Sequence, residues 1–244
     1  PDARQRENAL GYTQAFSSLG GLLVATANVV AANIATSLPA IHGGHEAWRY
    51  TLAGGLIPAV PLMLIRPFAP ESPVWQAKHA AGTLRRPRFR DLFQPSLRRT
   101  TLLTTCLVAC CYALPYGAIQ HTPRIVPGLP ELRAASPRVV EQTVSGVQLV
   151  QELGALAGRL LFSVLVISTL TRRRLLRVFL VPALAAFSWL YFSAAIQSLA
   201  QAAAAMFAAS LAFNALLSFW GNYLPRMYPT YLRATGESFA VNIG

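Results

Sequence analysis

Four side chains in one apolar stretch, Gln148, Gln151, Glu152 and Arg159, are the best equipped for chemistry in this sequence. Glu152 and Arg159 are the one carboxylate and the one guanidinium deep inside any apolar run. A charge at the centre of a bilayer costs about 2.5–3.5 kcal/mol on insertion scales, so each of the two must face a cavity or a partner. Seven residues put them on one helical face, about 10.5 Å apart along the axis. They cannot pair directly, so each needs water, a solute or another helix. The chemistry this suits is proton carriage or solute contact at Glu152, supported by Gln148, Gln151 and Arg159. The structural alternative is a polar clamp between helices.

The elements that hold these residues are set by long uncharged runs. Residues 178–225 give 48 positions without a charged side chain, and Asn8–His45 gives 38 more. A bilayer core about 30 Å thick needs about 20 residues per helical crossing. Six spans follow from the runs and their breakers, near Leu10–Leu38, Tyr50–Ile65, Thr100–Ile119, Val144–Thr169, Leu176–Ala195 and Leu199–Leu224, with a seventh opening near Gly236. The net charge of +12 comes from 21 basic residues, which cluster between the apolar runs as topology signals do. That pattern argues against nucleic acid as a partner. Loops rich and poor in arginine alternate, which by the positive-inside rule places the start of the chain and the Arg66–Arg99 loop in the cytoplasm. The localisation expected is a bacterial plasma membrane, and the chain reads as an excerpt of something longer.

Other polar residues inside the spans fall in stripes. Gln14, Ser17, Ser18, Gly21, Ala25 and Asn28 recur at three- and four-residue steps in the first span, and Ser210, Asn214, Ser218 and Asn222 at four-residue steps in the sixth. Striped helices should face a shared interior, and the nearly all-apolar second and fifth spans should face lipid. Gln14, Asn28 and Asn214 are therefore candidate cavity contacts. Gly154 and Gly158 form a small-xxx-small pair that lets a neighbouring helix approach closely. Pro115, followed by Gly117, should end or break the third span and is a candidate gate. In the loop after the second span, Ser72–Pro73 predicts a helix start and Gly82 its stop, and the arginine-rich stretch Arg85–Arg99 around Leu92–Phe93 reads either as a surface helix on the anionic leaflet or as a charge run that only sets orientation. Cys106, Cys110 and Cys111 lie in one apolar run and read as small buried hydrophobes. No span holds a His/Asp cluster or a nucleophile–base pair, so neither a membrane enzyme nor a metal or other cofactor is expected.

Several loop motifs resemble those of the major facilitator superfamily, in its sugar-porter-like and metabolite–proton symporter branches. Trp48-Arg49 is similar to the pair that opens helix six there. Pro70-Glu71-Ser72-Pro73-Val74-Trp75 resembles the signature that follows it, with Val74 in place of a basic residue. Gly158-Arg159 through Arg172-Arg173-Arg174 looks like a degenerate cytoplasmic arginine motif, with Ser168 or Thr169 where the family has Asp. The segment Tyr223–Gly236, containing Pro229, Thr230, Arg233 and Gly236, resembles the stretch between helices ten and eleven, with Arg226 where Glu is usual.

The resemblance implies an all-α major facilitator fold in which the six spans are helices five to ten of twelve. Residues 1–66 would end an N-terminal bundle, 67–99 form a cytoplasmic linker, and 100–244 belong to a C-terminal bundle. It implies alternating access in a monomer, with a central site for a small polar or anionic solute and coupling to protons. Pro229, Arg233 and Gly236 would serve the cytoplasmic gate, as would Pro70, Glu71, Ser72 and Pro73. The sugar porters' helix-seven glutamine pair is absent, which weakens hexose as the solute. A non-transporting scaffold or sensor with the same fold is the alternative.

Overall fold

A computed structural model of the chain describes residues 3–68, 73–83, 87–117, 119–167, 171–192 and 198–244. These form ten α-helices joined by loops and short 3-10 turns: α1 (Ala3–Ile34), α2 (Ala47–Gly54), α3 (Leu56–Ile65), α4 (Pro73–Ala80), α5 (Arg98–Gly117), α6 (Thr122–Ile125), α7 (Pro137–Ile167), α8 (Arg172–Phe192), α9 (Leu199–Tyr223) and α10 (Arg233–Ile243). Among the described residues, six stretches are long and apolar enough to cross a membrane: Tyr12–Ser37, Ala47–Ile65, Arg98–Gly128, Pro137–Val166, Arg173–Phe192 and Leu199–Met227. They coincide with the six spans expected from the sequence. The protein is an integral membrane protein of the all-α class.

Local chemistry explains where the long helices begin. Ser136 precedes Pro137, the first residue of α7, and its Oγ accepts from the Val139 N–H at 3.4 Å. Ser198 and Gln201 form a capping box at α9: the Gln201 N–H donates to Ser198 Oγ and the Ser198 N–H to Gln201 Oε1, both at 3.3 Å. The Glu131 carboxylate accepts the next free amide, that of Leu199, at 3.2 Å.

Residues 1–50 and 110–223 make one compact unit, built from α1, the C-terminal end of α5, and α6–α9. Within it α7 lies between α1 and α9, and α8 packs on α9. Burial of Ala202, Ala205, Ala209, Ala212 and Ala215 along α9 lets its neighbours come close. A Cβ built on Gly154 would meet the Phe207 carbonyl oxygen at 2.5 Å, and one on Gly158 would overlap that of Leu211. Both glycines thus bring the α7 and α9 backbones together, as their spacing predicts. Fully buried Phe162 closes the far end between Phe179 of α8 and Phe219 of α9. The motif residue Arg49 ties down the turn after α1, donating to the Ile41 carbonyl at 2.5 Å and pairing with Glu46 at 2.8 Å.

Residues 51–109 and 224–244 make the second unit. The second span is interrupted: α2 stops at Gly54 and α3 restarts at Leu56, because Pro58 has no N–H to return to the Gly54 carbonyl. No residue of α3 is buried within this chain. Pro73 opens α4 as expected, and Gly82 ends it at φ +64° while the Thr83 N–H reaches back to the Lys78 carbonyl at 3.0 Å. Over the described residues 87–97 the expected surface helix is not formed. Prolines at 87 and 95 confine the chain to a five-residue 3-10 turn, Phe89–Phe93, before α5 starts. Leu92, rather than lying on lipid, is fully buried with Tyr228 and Leu232, and Phe93 meets Phe239 edge-on.

Candidate functional site

The polar stripe of α1 meets that of α7 at intervals of one heptad. At one level Arg159 donates from Nη1 to the Gln14 carbonyl at 2.9 Å and to Ser17 Oγ. One heptad along each helix, a Cβ on Gly21 would collide with the Glu152 carboxylate, so the absence of a side chain there makes the carboxylate's space. One heptad further, Asn28 Nδ2 donates to Ser145 Oγ at 2.9 Å and to Gln148 Oε1 at 3.2 Å. Near the end of the seam Gln142 Nε2 donates to Asn33 Oδ1 at 3.1 Å. An antiparallel pair held in a 3.5-residue register produces this spacing.

Arg159 is tied on its other side to α9, where Nε and Nη2 donate to Asn214 Oδ1 at 3.4 and 3.3 Å. Asn214 is held in turn by its own Nδ2, which donates to the Ser210 carbonyl at 2.9 Å. The guanidinium therefore joins three helices through neutral acceptors, and among the described residues it makes no ion pair with Glu152. The seven-residue spacing already required that separation.

Glu152, resting over Gly21, also borders open space on its other side. It lines a cavity of about 180 Å³ between α5, α7 and α9, together with Gln151, Ser210, Asn214, Tyr112 and Tyr116. Pro115 sits in its wall without stopping α5, which continues to Gly117. Gln151 is buried, its Oε1 accepting from Thr122 Oγ1 at 2.7 Å, which fixes the floor of the cavity beside Glu152. Gln14, Asn28 and Gln148 lie on the α1–α7 seam rather than on this cavity.

The expected gate residues near the other end of α9 belong to the second unit. Pro229 starts a 3-10 turn, with the Leu232 N–H donating to its carbonyl at 2.8 Å. Arg233 opens α10 and donates from Nε to the Tyr228 carbonyl at 3.4 Å. Gly236 lies flat on the Tyr228 ring, whose carbons come within 2.7 Å of where a Cβ would stand. The buried Tyr228 hydroxyl shares a 2.6 Å hydrogen bond with Thr104 Oγ1. Pro70, Glu71 and Ser72 lie outside the described residues.

Sequence reasoning missed Tyr112, Tyr116, Thr122 and Ser145. Tyr112 and Tyr116 stand one turn apart around Pro115, with ring centroids 5.6 Å apart, and that i, i+4 pairing was the signal available. Thr122 and Ser145 carry no such pattern and become visible only through their partners.

Residues 3–86 match the family model described as "Sugar (and other) transporter". No curated protein and no solved structure matches the chain. The matched range takes in both the Trp48-Arg49 pair and the Pro70–Val74 motif. With six helices able to cross a membrane, the match supports a transporter of the major facilitator type.

Proposed function

We propose that this chain, which matches a transporter family and spans the membrane with its helices, takes part in secondary active transport by alternating access, coupled to protons through Glu152. The solute is a small polar or anionic molecule. Family and helices give transport of sugars or similar solutes; Glu152 carries the finer reading. It is the single carboxylate deep inside the spans, Glu141 standing in the first turns of the same helix, and it borders a cavity instead of closing on an arginine. A carboxylate in that position costs stability unless solvent or solute reaches it. In this reading residues 1–66 and 100–244 belong to two bundles linked by 67–99. The α1–α7 seam, with Asn28 and Gln148, is where they part, and Pro73, Pro229, Arg233 and Gly236 shape the cytoplasmic gate.

The test is flux into proteoliposomes holding the intact protein, screened against small polar metabolites under an imposed pH gradient. The reading expects a gradient-driven flux that a protonophore collapses and that Glu152→Gln abolishes. Gradient-driven flux persisting in Glu152→Gln would reject Glu152 as the coupling group.

A further inference from the structure

We infer that the solute taken up beside Glu152 carries an ammonium group, and that the cation and the coupling proton occupy the same carboxylate in turn. The inference rests on the transport reading above, keeps its small polar solute and replaces the anionic alternative with a cationic one. Among the described residues around the cavity, Glu152 is the one that bears a charge; no arginine, lysine or histidine lines it. The nearest candidate cation, Arg159, has Nε, Nη1 and Nη2 all engaged by Gln14, Ser17 and Asn214, and it lies outside the cavity wall. An anionic solute would meet an uncompensated carboxylate and no counter-charge. A cation supplies the missing charge.

The remaining walls fit the same chemistry. Tyr112, Tyr116 and Phe213 give the cavity aromatic sides, and ring faces attract ammonium ions. Asn214 and Ser210 supply polar edges for a hydroxyl or amide elsewhere on the solute. The size agrees as well, since a cavity of about 150 Å³ is enough to hold benzene. Arrival of the cation displaces the proton: the Glu152 carboxylic acid gives up H⁺ to water, and the carboxylate pairs with the ammonium. The charge of the occupied site is the same in both states. The titratable groups near Glu152 are Arg159 on its own helix and Tyr112 and Tyr116 on α5. From Tyr12 to Ile34 α1 carries only Tyr12, and α9 only Tyr223.

The experiment measures equilibrium binding of radiolabelled choline, benzoate and glucose to the intact protein in detergent, at several pH values. Choline is expected to bind, and acidification to weaken it by competition at Glu152. Glu152→Gln should reduce choline affinity by roughly tenfold, as loss of one partner of a half-buried charge pair does. Tyr116→Leu should cost roughly tenfold through the lost ring contact. Should Glu152→Gln fail to fold, by its melting profile, the pH competition in the unaltered protein decides. Binding of benzoate or glucose in place of choline, binding of none of the three, or choline binding indifferent to pH and to Glu152→Gln would each overturn the inference. The two readings fail separately: Glu152-dependent, gradient-driven flux of benzoate or glucose alone would sink the ammonium assignment and keep transport. Choline binding as described without gradient-driven flux of any solute would do the reverse.

Discussion

Glu152 and Arg159 share a helix face and do different work. Arg159 is a junction: three of its nitrogens reach α1 and α9, and a planar fork with fixed directions is what such a junction requires. Arg159→Gln should therefore lower the stability of the purified protein, by about 1.5–3 kcal/mol if one charged hydrogen bond is lost in net, read as a fall in melting temperature in detergent. Arg159→Lys should recover little of it, since one ammonium cannot span Gln14 and Asn214 together. Gly21 is the counterpart for Glu152, because the carboxylate rests where a side chain would stand. Gly21→Ala should push the carboxylate aside and cut coupled flux by roughly tenfold to a hundredfold, the scale of a displaced reacting group. Gly20→Ala, where a Cβ meets nothing within 4 Å, should leave flux unchanged.

Helix packing depends on which surfaces are small. The α7–α9 contact is set by Gly154 and Gly158 against backbone carbonyls, which cannot move aside as a flexible side chain could. Gly158→Ala should destabilise by about 1–3 kcal/mol, the usual cost of overpacking. Gly146→Ala, in the same helix but facing open space, should be neutral or gain about 0.5–1 kcal/mol from helix propensity. Melting curves of the two variants side by side check the assignment, and equal effects would reject it. Gly154, Gly158 and the Gly82 stop were legible as local patterns. The described residues 87–97 depart from the expected interfacial helix, which their charge and apolar pair suggest, because the prolines at 87 and 95 leave room only for a 3-10 turn.

For the molecule as a transporter, the α1–α7 seam has to open if the two proposed bundles move against each other. Asn28 and Ser145 meet across it at 2.9 Å, so cysteines placed at both positions are within reach of a short bifunctional thiol reagent. In a background with Cys106, Cys110 and Cys111 replaced by serine, crosslinking Asn28→Cys to Ser145→Cys should stop flux, with recovery when a cleavable linker is cut. Full flux in the crosslinked protein would show that the seam stays closed through the cycle. Either single cysteine with the same reagent should keep its flux, which separates crosslinking from simple modification.

Membrane insertion, the number of spans and the polar faces of α1, α7 and α9 were determined by the sequence alone. Hydropathy and helical periodicity are local properties, and each stripe of Gln, Asn, Ser and Gly shows which side of its helix must avoid lipid. What a stripe meets across the interface depends on register and on which helices are neighbours, and no single helix carries that information. Only the tertiary structure therefore divided the stripe residues into the Asn28–Gln148 seam, the Arg159 junction and the cavity beside Glu152. It also brought in Tyr112 and Tyr116, whose ring faces acquire a role only once α5 stands opposite α7 and α9.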